Sequence, residues 1–222
     1  RPMPGVHMYS SKDLYNWKDE GVVLRTMDNY DQFETDNYFK NLYGDLSDDE
    51  KKDIYVDLWA EGCVMERPKM LYNEKTGKYV IWFHADGTSP YSDDSGSNYA
   101  KAKAGIAIAD NINGPYKLVG SYMLASDYGN HGFDSVGGHV RDMNLFQDDD
   151  GTAYLTFYLD EEEDVAPVLM NVRKDNKEKQ PMQLMLVEIS GVMRWFWEKT
   201  SASAVPIPER LRQCSNIRVN IT

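Results

Sequence analysis

Apolar positions along the chain fall in short runs separated by polar turns, and helical spacing is scarce. Four runs combine aromatic and β-branched residues and are bounded by Gly, Asp or Asn: KYVIWFH at 78–84, AGIAIAD at 104–110, AYLTFYL at 153–159 and MQLMLVEIS at 182–190. These runs predict strands, because a pleated surface accepts branched and aromatic side chains that crowd a helix. One stretch departs from the pattern. At 47–59, SDDEKKD supplies a serine N-cap and an acidic first turn ahead of Ile54, Val56, Leu58 and Trp59, which predicts a helix. The fold class expected is all-β.

The chain also repeats itself. RPKMLYNEKTGKYVIWF, from Arg67, lines up with RDMNLFQDDDGTAYLTF, from Arg141, at an offset of 74. Arg67 then matches Arg141, Leu71 matches Leu145, Tyr72 matches Phe146, Gly77 matches Gly151 and Phe83 matches Phe157. Each copy reads as a β-hairpin whose acidic turn ends on a Gly at positive φ. A strand of another type follows each copy, GIAIADNINGPY after the first and LMLVEISG after the second. Near the start, GVHMYSSKDLYNWKDEG reads as a strand, a polar turn and an aromatic, closing a unit whose opening hairpin is absent. Repeated units of about four antiparallel strands predict propeller blades. The long period is attributed to loop insertions at 26–57, 85–103 and 126–140, on the face that carries function. After Gly191 the pattern stops, so a domain at 1–190 is followed by an atypical tail at 191–222. That tail is either a local extension packed on the domain or, as we expect, a replacement of the native continuation by truncation or a frame change.

Composition narrows the partners. Among 222 residues, 24 basic and 36 acidic side chains leave a formal charge of −12, which repels phosphate backbones and anionic lipid, so neither nucleic acid nor membrane is an expected partner. Hydrophobic content of 41% is too rich for a disordered chain. Every apolar run is far shorter than the roughly 18 residues of a membrane helix. The 15 Tyr and 5 Trp suit either a β-rich core or a surface that stacks on flat ligands. Cys63 and Cys214 leave a single bridge or free thiols open. No charged-then-apolar leader is visible at Arg1-Pro2-Met3-Pro4.

No CxxC pair, HExxH, GxSxG or phosphate loop is present. What remains is carboxylates beside arginines, Glu66-Arg67-Pro68 and Arg141-Asp142-Met143, at nearly equivalent places in the two repeats. Paired carboxylates around a pocket suit glycosidic cleavage, in which an inverting enzyme keeps acid and base roughly 6.5–9.5 Å apart for a water. Fold-stabilising Arg–carboxylate ion pairs are the alternative. Trp82, His84 and Tyr99 read as an aromatic platform for sugar C–H faces; core packing for Trp82 and a surface position for His84 stay open. His7, His131 and His139 are scattered, so no metal is expected, and QDDDG at 147–151 reads as a hairpin turn rather than a calcium loop.

YSSKDLYNW, ERPKMLYNEKTGKYVIWFH, AGIAIADNINGPY and RDMNLFQDDDGTAYL, in this order, resemble glycoside hydrolase family 43, most closely its exo-β-1,3-galactanase subgroup. The resemblance covers 5–157 and extends more loosely to 190. It implies a five-bladed β-propeller, an inverting mechanism on plant or microbial polysaccharide, no cofactor and an oligo- or polysaccharide partner. Carried over, Asp142 matches the carboxylate that orients the catalytic acid and tunes its pKa. Glu66 matches a carboxylate that contacts a substrate hydroxyl, and Arg67 and Arg141 would hold the two in place. The family's proton-donating Glu lies in a later blade, in a Glu-x-Pro segment before another hairpin, and no segment after the second repeat matches it. Glu161 to Glu163 come too early, EDVAP at 163–167 follows directly on the second repeat, and Glu209 lies in the tail. The hairpin that bears the base is missing as well. The expectation is therefore about three blades of five without the proton donor, from an extracellular or periplasmic parent. Uncovered blade edges would favour self-association. A catalytically incomplete carbohydrate-binding fragment is the alternative, and a propeller interaction module with purely structural ion pairs is the third reading.

Overall fold

The computed structural model describes residues 2–91, 101–122, 140–149, 151–159, 170–171 and 183–188. Strands dominate them. In chain order the elements are β1 (Gly5–Ser11), β2 (Trp17–Arg25), α1 (Gln32–Thr35), α2 (Asn37–Tyr43), α3 (Asp48–Leu58), β3 (Cys63–Asn73), β4 (Lys78–Gly87), β5 (Lys103–Ala109), β6 (Lys117–Tyr122), β7 (Arg141–Gln147), β8 (Ala153–Leu159), β9 (Met170–Asn171) and β10 (Gln183–Glu188). β1 pairs with β2, and two four-stranded sheets have the orders β3-β4-β5-β6 and β7-β8-β10-β9. The chain divides into two compact units, one made of Arg1–Asn73, Gly77–Lys101 and Gly105–Ser121, the other of Glu74–Thr76, Ala102–Ala104 and Tyr122–Thr222.

In the first unit, the expected strand and turn near the start form the antiparallel β1–β2 hairpin. Its tip is tied by side chains. Asp13 accepts the backbone N–H groups of Tyr15 at 2.9 Å and Asn16 at 2.8 Å, and Ser11 Oγ accepts that of Leu14 at 2.8 Å. The predicted helix is α3, capped by Ser47 through a capping box with Glu50. The rest of the expected 26–57 loop is not bare loop, because it also carries α1 and α2. Phe33, Phe39 and Tyr43 of these helices are 1%, 0% and 1% exposed, so their rings anchor elements too short to form alone. The ends of the insertion are clamped by Met27 N–H donating to Leu58 O at 2.7 Å and Ala60 N–H donating to Met27 O at 2.8 Å. The core gathers these rings with Val6, Leu24, Met27, Leu58, Ile81 and Phe83.

β4 is buried along both faces. Alternation sends Ile81, Phe83 and Ala85 into the core cluster, and sends Val80, Trp82, His84 and Asp86 to the opposite face, where they are buried too. A Cβ on Gly105 of β5 would lie 2.3 Å from Phe83 Cζ, so this ring packs onto bare backbone.

The second unit repeats the hairpin, with β7, β8, β10 and β9 all antiparallel to their neighbours. β10 falls within the predicted run at 182–190 and lies beside β8, just as β5 lies beside β4. The edge strand β9 was not anticipated. Both hairpin turns place the expected Gly at positive φ, Gly77 at 66° and Gly151 at 82°. A Cβ at either would meet nothing within 4 Å, so backbone conformation rather than space demands glycine there. Cys63 is a buried free thiol, whereas Cys214, the tail at 191–222 and the EDVAP segment lie outside the described residues.

Candidate functional site

The two carboxylate segments sit on the same structural device. In β3, Glu66 pairs with His84 and Lys69 with Trp82, so Arg67 and Pro68 together oppose the single residue 83. In β7, Arg141 pairs with Tyr158 and Asn144 with Thr156, so Asp142 and Met143 oppose the single residue 157. Each is a β-bulge with one extra residue on the first strand of the hairpin. By register, Glu66-Arg67-Pro68 corresponds to Arg141-Asp142-Met143, an offset of 75 on the first strands against 74 on the second. Arg67 is therefore the counterpart of Asp142 rather than of Arg141. Pro68 suits the position because it has no N–H to lose from the ladder.

The bulges are strained at the residues that carry charge. Arg67 has φ of 52° and Asp142 has φ of 46°, in the left-handed region where side chains cost roughly 1–2 kcal/mol. Such outliers persist where surrounding structure imposes them, and they cluster at functional sites. Both side chains are exposed.

Glu66, half-exposed at 38%, meets a partner that sequence reasoning did not assign to it. Its Oε2 lies 3.5 Å from Nδ1 of His84, directly across the ladder. The other ring nitrogen, Nε2, lies 2.9 Å from Asp86 Oδ2, and the side chains of His84 and Asp86 are 3% and 0% exposed. Asp86 Oδ1 accepts backbone N–H groups from Gly87 at 3.1 Å and Lys101 at 2.9 Å. Burial alone would raise the Asp86 pKa, but the His84 contact and these two N–H donors outweigh it and hold the carboxyl below its ordinary range. The overlooked residue is Asp86, and its signal was legible: His-Ala-Asp at the end of an apolar strand places two polar side chains on one face.

The other expected site residues fall differently. Trp82 is 0% exposed, its Nε1 has no hydrogen-bond partner among the described residues, and it packs in the interior rather than offering a face to a sugar. His84 is not at the surface. Glu66 and His84 are brought together; Asp142 belongs to the other unit. Arg141 is fixed only as a backbone position opposite Tyr158. Tyr99 lies outside the described residues. Among the described residues, no group of three or more His, Cys, Asp or Glu side chains is arranged to hold a metal. No helix among them is long and apolar enough to cross a membrane.

No family model matches the sequence, and no curated protein matches it. Solved structures do. The exo-β-1,3-galactanase of Phanerochaete chrysosporium, crystallised with galactose, is 28% identical over 72% of this chain and 27% of its own, with a TM-score of 0.47. The exo-β-1,3-galactanase of Clostridium thermocellum is 29% identical over 70% of this chain and 26% of its own, with a TM-score of 0.46. A family 43 β-1,3-galactosidase is 30% identical over 72% of this chain and 26% of its own, with a TM-score of 0.46. The chain spans 37% of a bifidobacterial relative of the same kind. Over about seven-tenths of its length, the chain is similar to part of the family 43 glycoside hydrolases of the exo-β-1,3-galactanase kind, spanning 26–37% of their chains.

Proposed function

We propose that this chain carries part of the sugar-binding face of an inverting glycoside hydrolase of family 43 type, acting on β-1,3-galactan or a related side-chain polysaccharide outside the cell. One observation carries this reading: two hairpins that repeat in sequence also repeat a bulge, and each bulge sets a carboxylate, Glu66 or Asp142, at or beside a strained left-handed residue. The burial of β4 on both faces suits a blade set between neighbours in a propeller. Glu66 would accept a hydrogen bond from a sugar hydroxyl. Asp142 would orient the catalytic acid and tune its pKa while an activated water attacks the anomeric carbon from the opposite face.

A second reading is favoured by one feature of the sequence, that residues 158–222, after the second repeat, hold no Glu-x-Pro segment: the chain binds the sugar and does not cleave it. Incubation with β-1,3-galactobiose, followed by chromatography of released galactose, separates the two. Turnover that disappears in Asp142→Asn supports the hydrolase. Saturable binding without release supports the binding fragment, and neither binding nor release rejects both.

A further inference from the structure

His84 is a buried imidazole with a carboxyl group at each ring nitrogen. On one side Asp86 accepts two main-chain N–H groups through Oδ1 and faces Nε2 at 2.9 Å through Oδ2. An ionised carboxylate so placed only accepts, so Nε2 carries a proton and the tautomer is fixed. On the other side Nδ1 faces Glu66 Oε2 at 3.5 Å. A bare ring nitrogen and a bare carboxylate oxygen repel each other. At 3.5 Å this is an ionic contact rather than a hydrogen bond, attractive when the ring carries its second proton. Among the described residues, the charged groups meeting this ring include Glu66 from β3 and Asp86 from β4. Lys101 reaches Asp86 through its main chain, while its Nζ lies 3.8 Å from Asp57 Oδ1 of α3.

We propose that Asp86 and His84 form a positioning dyad for Glu66: Asp86 fixes the Nε2–H edge of the ring, and the Nδ1 edge holds Glu66 Oε2 by ionic contact, turning the carboxylate toward a ligand hydroxyl. The last clause rests on the sugar-binding reading of Glu66; the dyad does not. The chain of contacts runs from a fully buried carboxylate through a buried ring to a half-exposed carboxyl. This is how an outer group restrains an inner one when the exposed member must keep one orientation in water. A buried His–Asp pair serving only to stabilise β4 would be indifferent to what stands at position 66.

The test is nitrogen-15 NMR of the full chain labelled at its 4 histidines, with the His84 ring assigned through His84→Gln. The dyad predicts a protonated Nε2 in the wild type. It predicts that Glu66→Gln moves the Nδ1 resonance and leaves Nε2 in place, and that Asp86→Asn turns the fixed tautomer into a mixture. A His84 ring unchanged by Glu66→Gln, or one with a bare Nε2 and a protonated Nδ1, overturns it. Because Glu66 is half-exposed, the first comparison holds even if Asp86→Asn does not fold. A cycle with β-1,3-galactobiose adds the second arm. His84→Gln should weaken binding about tenfold in the wild type and have no further effect beside Glu66→Gln, whereas additive losses contradict the positioning role. If the wild type binds no sugar, the galactan reading falls and the ring shifts alone decide the dyad.

Discussion

Arg67 and Asp142 show what a single backbone angle contributes. Arg does not report a positive φ and Asp reports it only weakly, so the strain went unread in the sequence, whereas Gly77 and Gly151 announced theirs. Replacing Asp142 by Gly relieves a left-handed residue by up to roughly 1–2 kcal/mol and gives back about 0.5–1 kcal/mol through the looser unfolded chain. Asp142→Gly should therefore leave the urea midpoint unchanged or raise stability by up to about 1 kcal/mol, while sugar binding falls. A loss of more than about 1 kcal/mol would make the side chain structural. Cys63 gives a second prediction at this scale. Burial, with Asp57 adding to it, pushes its thiol up to about 12, so little thiolate exists near neutral pH. Alkylation traced to the Cys63 peptide should be slow in buffer and fast in urea; rapid labelling of the folded chain would contradict the buried placement. Asp86 gives a pH dependence. Its folded pKa lies below the ordinary value, so its contribution to stability is present above the ordinary carboxylate range and is lost as pH falls through the depressed value. Chemical unfolding along an acid series should show a shallower loss in Asp86→Asn than in the wild type. Equal slopes would remove the hydrogen-bonded carboxylate from the account.

At the scale of elements, legibility followed local signals. The capping box made α3 readable from Ser47 and Glu50, and Ser47→Ala should lower stability by about 1 kcal/mol in chemical denaturation. A change near zero would mean that packing alone sustains the helix. α1 and α2 were illegible because they run for only 4 and 7 residues, and rings in a core assembled from distant segments hold them. The strands were readable from aromatic and β-branched runs, and β8 spans the predicted residues. The face of β4 on which His84 lies could not be read as buried, because its two polar side chains, His84 and Asp86, suit a solvent face as well as a buried pair. The repeat was visible, but its one-residue difference between strands emerged only from the bulges.

For the molecule as a whole, the charge of −12 acts through its long-range field, while a neutral sugar is held by short hydrogen bonds and stacking. Binding of β-1,3-galactobiose should therefore change little between low and physiological salt; a steep salt dependence would point to a charged ligand instead. In the proposed function Glu66, beside the bulge in β3, faces the sugar. Isothermal titration of the wild type and Glu66→Gln with β-1,3-galactobiose tests this placement most directly. Saturable binding by the wild type and at least a tenfold loss in Glu66→Gln are expected, the order that follows when a charged hydrogen-bond partner is removed. Equal affinity of the two chains for the disaccharide would contradict it.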